Sequence, residues 1–440
     1  MKYRAKIGVI CLGRYTYDVA AAQEIYKAAQ ADLKTIENID WEIVAAPVIE
    51  KPDAEAAAAR MKAAGVDAVA VISGTFHLGH LALIIDRAVQ KPILLWAFNE
   101  LPYDGGKIRL NSVCGMNLNA SNLYKSGSDS FRCVVSDTID RAWVDAIRMK
   151  AAIEHAHIGV AGYRADGFFN LDIDEPDNFR KTGVLPDHYE LADMFSGEAD
   201  EAAVAAREAE VRNRFNCKGV TDAQVHKVAR LCETTEQFLN KNQLDALAIR
   251  CWPEYANSYG IAPCAMMSVL QSTGRILSCE GDVEGAETML ACAAAGCETP
   301  FLADLSQVNF EENFALMWHC GVAPANLWDG CCDCTLDTYF AGGRGVTAGF
   351  VMKSGPVSFM RIDTARGKTR VFISRGTAEP MEKQLSGTYA KVRFDDCTVK
   401  QLLDTVVETG VAHHIVMCYG EHTETFRAFA KIMQWEIIEP

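Results

Sequence analysis

The chain has 440 residues, 49% of them apolar and 23% charged, with 16 cysteines and a formal charge of −15. That length exceeds what one core usually supports, and the composition is that of a globular protein rather than a disordered or fibrous one. The acidic balance argues against nucleic acid or an anionic membrane as the main partner, and no apolar run approaches the roughly 18 residues that span a bilayer.

The N-terminus is basic, but its apolar piece is short and reads as a first strand, IGVICLG, rather than a secretory leader. From there strand and helix alternate: DVAAAQEIYKAAQADLKTI as helix, WEIVAAPVI as strand, DAEAAAARMKAAG as helix, DAVAVISG as strand, HLALIIDRAVQ as helix and ILLWAFN as strand. Such alternation with short loops predicts a doubly wound parallel sheet covered on both faces. NSVCGMNLNASNLYKSG, rich in Asn, Ser and Gly, reads as a loop and helix start at the sheet edge.

A second α/β unit begins near His157 with the strand IGVAG and a long polar and aromatic loop, YRADGFFNLDIDEPDNFRKTG. Two helices follow, EADEAAVAAREAEVRNRF and VTDAQVHKVARLCETTEQFLNKNQ, with strands ALAIRCW, ILSCE and FLAD. After about residue 330 the rhythm changes to short alternating runs broken by Gly, Pro and charged turns, which predicts antiparallel β structure. A final αβ piece runs VKQLLDTVVETG, HHIVMCYG and the helix ETFRAFAKIMQ. The expected architecture is two doubly wound parallel-sheet domains, 1–155 and 156–330, followed by a smaller, mainly antiparallel β domain over 331–440.

Most cysteines, among them Cys11, Cys133, Cys279, Cys292 and Cys418, sit inside apolar runs, as buried small hydrophobes do. The run Cys331, Cys332, Cys334 is the exception, but no second paired cluster with ligand spacing accompanies it. Reduced thiols and a cytoplasmic location are expected. The glycines Gly342, Gly343 and Gly345 match neither phosphate-loop pattern, so no nucleotide cofactor is expected.

The chemically loaded stretch is GRILSCE-GDVEGA…TPFLAD. Glu280 and Asp304 each follow a strand-like run, 24 positions apart, with an Ala-rich helical segment between them. A right-handed crossover would make the two strands parallel in one sheet, with both acids at its C-terminal edge, where open α/β sheets bind ligands. Two converging carboxylates suit a divalent cation or proton transfer between neighbouring carbons. A strand-end acid is equally the signature of a helix N-cap, the reading given to Asp282 and Glu284. His414 is the best third ligand by sequence, and a two-carboxylate, one-imidazole set leaves open positions that suit Mn2+ or Mg2+. His413 is expected on the opposite strand face. His319, placed one helix and turn beyond Asp304, reads as a further ligand, a donor to substrate, or a satisfied core histidine. His77 and His80, with Arg164, Asp166, Lys353 and Arg361, are candidate substrate contacts.

The order CEGDVEGA, FLAD, MWHCG and HHIVMCYG, preceded by GTFHLGH, PILLWAFNE, NSVCGMNLNASNLY and IGVAGYRADGFFNLDIDE, resembles the L-fucose isomerase and L-arabinose isomerase superfamily over essentially the whole chain. Asp304, rather than a glutamate, makes the fucose isomerase branch the closer one. The resemblance implies an aldose–ketose isomerase acting through a cis-enediol. It implies a divalent cation, Mn2+ with Mg2+ or Co2+ as alternatives, held by Glu280, Asp304 and His414. The two carboxylates double as the acid/base pair, and the cation stabilises developing oxyanion charge. It further implies a homo-oligomer whose sites borrow N-terminal residues from a neighbouring subunit, which gives His77 or His80 a role. The substrate is left open among a deoxyhexose, a pentose and a C6-charged sugar such as a sulfo-sugar. Two other readings compete: a non-catalytic sugar-binding protein on the same scaffold, and a thiol or zinc oxidoreductase built on Cys331, Cys332 and Cys334.

Overall fold

Five apolar runs form the first sheet: β1 (Ala5–Leu12), β2 (Ile39–Ile43), β3 (Ala68–Ser73), β4 (Ile93–Ala97) and β5 (Phe131–Val135). All neighbours are parallel, in the order β2-β1-β3-β4-β5. β3 and β4 are buried at every position, as apolar strands covered on both faces are. The computed structural model describes residues 2–339 and 343–440, which leaves Gly342 outside. It divides into two compact units, Met1–Ala151 with Glu424–Trp435, and Ala152–Thr423 with Glu436–Pro440.

The Asn-rich segment of the first unit is a full helix, Ser112–Ser126, rather than a loop with a helix start. Gly115, Asn119 and Leu123 recur on its buried face, so packing overrides weak propensity.

In the second unit, β6 (Ile158–Ala161), β7 (Asp187–Tyr189), β8 (Ala246–Ile249) and β9 (Ile276–Cys279) form a small parallel sheet in the order β7-β6-β8-β9. The rest of the chain builds β10 (Glu298–Asn309), β11 (Phe314–His319), β12 (Thr335–Asp337), β13 (Thr347–Val351), β14 (Gly355–Ala365), β15 (Lys368–Glu379), β16 (Thr388–Phe394), β17 (His414–Tyr419) and β18 (Glu436–Ile438). Six of these close on themselves, antiparallel throughout, in the ring β16-β11-β10-β17-β14-β15. Closure leaves these strands without a free edge. The β structure therefore begins at β10, earlier than the expected boundary at 331.

This overturns the expected placement of the two acids. Glu280 follows a strand of the parallel sheet, but Asp304 lies inside β10 of the barrel, so their strands are not parallel neighbours. A strand–helix–strand pattern fixes the elements, not the sheet that the second strand joins. The connecting helix, Val283–Ala295, is buried at every residue except Leu290 and Ala293. It packs against β6, β8 and β9 on one side and β10, β14 and β17 on the other. Its Ala-rich surface permits that close double approach.

Candidate active site

Glu280 opens the turn after β9 in a left-handed conformation, φ 63°, and Gly281 follows at φ 76°. A Cβ at Gly281 would collide with the Tyr163 carbonyl and the Arg164 backbone, so the turn lies flush against the 163–165 loop. That loop returns a hydrogen bond, Ala165 N–H to the Glu280 carbonyl at 2.8 Å. A non-glycine residue held left-handed carries strain of order 1 kcal/mol or more, a common mark of functional positions.

Asp282 is indeed the N-cap of the buried helix, accepting the Gly285 N–H at 2.8 Å. It has two further partners. Its Oδ2 receives Arg361 Nη1 at 2.5 Å and His414 Nδ1 at 2.8 Å, and all three side chains are fully buried. Arg361 is thus a buried counter-ion, not a substrate contact. Since Asp282 is ionised, His414 Nδ1 must be the donor, which leaves Nε2 to face the cavity. A carboxylate on the rear nitrogen of a ligating histidine is a familiar arrangement.

Pairing of β10 with β17 sets Asp304 opposite His414, and pairing of β10 with β11 sets it opposite Trp318, next to His319. His319 is therefore reached by a tight hairpin rather than by the expected helix. His414 Nε2 lies 3.4 Å from Glu280 Oε2 and 3.7 Å from Asp304 Oδ1. His413 precedes the first residue of β17, so the alternation of a pleated strand does not apply to it. Its Nε2 also reaches Glu280 Oε2, at 3.4 Å, while Asn170 holds its Nδ1. Trp252 Nε1 approaches the other Glu280 oxygen at 3.4 Å, and the Phe168 ring stands edge-on to both Trp252 and His413.

Three buried polar atoms here have no hydrogen-bond partner: Asp304 Oδ1, His319 Nε2 and His414 Nε2. Ligand atoms of Asp304, His319 and His414 lie within 4.8 Å of one another, as do those of Glu280, His413 and His414. Unpartnered buried polar atoms are costly. Their convergence, two carboxylates with an imidazole that can give up its Nε2 proton, fits a divalent cation.

The electrostatics agree. Burial opposes charge on Glu280, but the hydrogen bond from His413 and the nearby His414 imidazole hold its carboxyl down at about 2. Asp282 is likewise held well below the usual range: burial opposes charge, and Arg361 and His414 outweigh it. Burial works against a charged His414, yet its bond to Asp282 and the nearby Glu280 carboxylate raise it to about 9. Glu280, facing the cavity, and Asp282, behind His414, are thus both carboxylates.

The remaining sequence candidates fall elsewhere. Arg164 belongs to the loop against the turn, but its guanidinium pairs with Asp172 at 3.3 Å and lies over the Phe169 ring. Asp166 is exposed on the same loop. Lys353 pairs with Glu298 at 2.8 Å beside Tyr419. Glu298 is opposite Tyr419 in the register that pairs Asp304 with His414, so Lys353 sits about 16 Å along β17 from the acids and is not at this site. In the first unit, His77 is a buried histidine with both nitrogens engaged, by the Thr75 carbonyl and Asn119, each at 2.9 Å. His80 is exposed at the start of the helix His80–Val89. Among the described residues Cys331, Cys332 and Cys334 form no metal-type cluster. No helix among them is long and apolar enough to cross a membrane.

Sequence reasoning missed His413, Trp252 and the second role of Asp282. Only the acid-after-strand signal of Asp282 was visible, and it pointed to a cap.

Two family models match parts of the chain. Residues 8–142 match the fucose/sulfoquinovose isomerase N-terminal domain, and residues 317–439 match the L-fucose isomerase C-terminal domain. A sulfoquinovose isomerase of Priestia aryabhattai is 26% identical, covering 97% of each chain. One from Alkalicoccus urumqiensis is 25% identical over 85% of this chain and 86% of its own. A third, from Clostridium sp. (strain MSTE9), is 25% identical over 82% and 83%. The chain belongs to the fucose isomerase-like family and is an aldose–ketose isomerase.

Proposed function

We propose that this protein isomerises an aldose carrying an anionic C6 substituent, of the sulfoquinovose class, with a divalent cation held by Glu280, Asp304 and His414. The observation that supports it most directly is the convergence of unpartnered Asp304 Oδ1 and His414 Nε2 beside the ionised Glu280. Mn2+ bound there would supply Lewis-acid stabilisation of oxyanion charge on the sugar's first two oxygens. Glu280 and Asp304 share the proton work: one takes a carbon-bound proton and returns it to the neighbouring carbon through a cis-enediol, and the other manages the hydroxyl proton. His319 is a donor in this scheme, because its Nδ1 accepts the Cys320 N–H at 2.8 Å and the ring proton resides on Nε2. Phe168 and Trp252 give the sugar an apolar wall. The redox change is internal to the sugar, so no nicotinamide is required. The sulfo-sugar assignment follows the names of relatives matched over four-fifths or more of this chain.

The test is a panel of aldoses, including sulfoquinovose, L-fucose and a pentose, assayed for ketose before and after chelation and again with added Mn2+. Activity on sulfoquinovose, lost with chelator and restored by Mn2+, is the expected result. Full activity in chelator removes the cation from the scheme, and preference for L-fucose removes the charged substituent.

A further inference from the structure

At the far end of the buried helix lies a second cluster of ligand-type side chains. Cys292 is in its last turn, and Cys297 follows the left-handed cap Gly296, φ 91°, returning its N–H to the Cys292 carbonyl at 3.1 Å. That reversal brings the two thiols together. Cys418, on the face of β17 that also carries His414, completes a group whose three sulfurs lie within 4.8 Å of one another, all buried. His422 stands on the Cys297 side of this group, outside the 4.8 Å set.

The position of His422 is built rather than incidental. Its backbone N–H donates to Ser358 Oγ at 2.9 Å, and its ring Nε2 lies 3.2 Å from the Tyr419 carbonyl. A carbonyl only accepts, so Nε2 carries the proton and Nδ1 the lone pair, with a backbone carbonyl behind the ring as behind many ligating histidines. Gly420, φ 106°, makes this fold-back feasible, since a Cβ there would come 2.8 Å from His422 Nε2.

We propose that Cys292, Cys297, Cys418 and His422 form a tetrahedral thiolate site for a zinc ion, separate from the carboxylate site. Three thiols and one imidazole are a donor set of structural zinc. The spacings, four residues between Cys292 and Cys297 and three between Cys418 and His422, resemble those of known zinc ligand pairs. With Zn–S bonds of about 2.3 Å, tetrahedral sulfurs sit about 3.8 Å apart, inside the 4.8 Å that bounds the three sulfurs here. The three thiols release their protons to the solvent on binding. Cys418 is four residues, about 13 Å, from His414 along β17. The ion would clamp the C-terminal end of the helix whose N-cap orients the catalytic imidazole.

Cobalt distinguishes this site from the other one. The full chain, purified under reducing conditions and loaded anaerobically with Co2+, should show intense thiolate-to-cobalt charge transfer in the near ultraviolet with tetrahedral d–d bands. A carboxylate–imidazole site produces no such charge transfer. The band should vanish in Cys418→Ser and Cys297→Ser and persist in Asp304→Asn, and zinc should abolish it stoichiometrically. Wild-type protein that takes up cobalt without a thiolate band overturns the proposal, whatever the fate of the variants. So does a band that survives Cys418→Ser in folded protein. Neither outcome depends on isomerase activity.

Discussion

His414 gives its Nδ1 proton to Asp282 across 2.8 Å, and this single bond decides which ring nitrogen faces Glu280 and Asp304. Asp282 is itself held by Arg361, on β14, and by the helix N-terminus that it caps. Asp282→Asn keeps the shape but removes the charge that fixes the tautomer and balances a buried guanidinium. Cation affinity should fall about 10- to 100-fold, and stability should fall by on the order of 3 kcal/mol. Manganese titration and thermal unfolding check the two effects separately.

The two acids should be separable from the fold. Glu280→Gln and Asp304→Asn should each lower kcat by about 10²- to 10⁴-fold with little change in melting temperature. Near-wild-type turnover by both variants on the true sugar would remove them from the chemistry.

Glu280 should also be a stability liability. It occupies φ 63° with a largely buried carboxylate, and the next residue is already glycine. Glu280→Gly relieves the left-handed backbone, so its melting temperature should equal or exceed that of the wild type while activity disappears. A drop of several degrees would show that the histidine contacts outweigh the strain.

Cation binding should release a proton. In the metal-free protein His414 is held protonated up to about 9, and a ligating imidazole must be neutral. Affinity for Mn2+ should therefore rise with pH, roughly tenfold per unit, and level off near 9. About one proton per ion should appear in weakly buffered solution near pH 7, read with an indicator dye. A pH-independent affinity would place the cation away from His414.

Glu287, buried in the same helix, supplies an alkaline weakness. Burial pushes its carboxyl from an ordinary 4.5 up to about 8, and one oxygen has no partner. The folded state holds this proton more tightly than the unfolded one. The stability it contributes is complete below pH 4.5 and declines as pH rises, until it is lost above about 8. Glu287→Gln mimics the protonated form, so its melting temperature should fall less than that of the wild type between pH 6 and 9.

The sequence made some of this legible and not the rest, for physical reasons. Apolar runs spaced by helices foretold both parallel sheets, and Glu280, Asp304 and His414 were visible as polar residues interrupting apolar runs. Their geometry was not visible, because periodicity is local and pairing is not. β10 continues past Asp304 to Asn309, and β17 comes from more than a hundred residues later to lie opposite it. His413 was misjudged because the strand begins one residue after it. Arg361, on a strand whose pattern is alternation, gave no sign that it would meet a cap 79 positions earlier. Cys292, Cys297 and Cys418 each look like a small apolar filler, and only the fold sets them side by side.

The loop carrying Tyr163, Arg164, Phe168 and Phe169 touches the Glu280 turn from outside, while Glu280 and Asp304 are anchored to a sheet and a closed barrel joined by a buried helix. A revision of this loop would still be felt by the proton machinery, at Glu280 through the Ala165 bond and at His413 through Asn170, so only side chains turned away from that turn are free to vary.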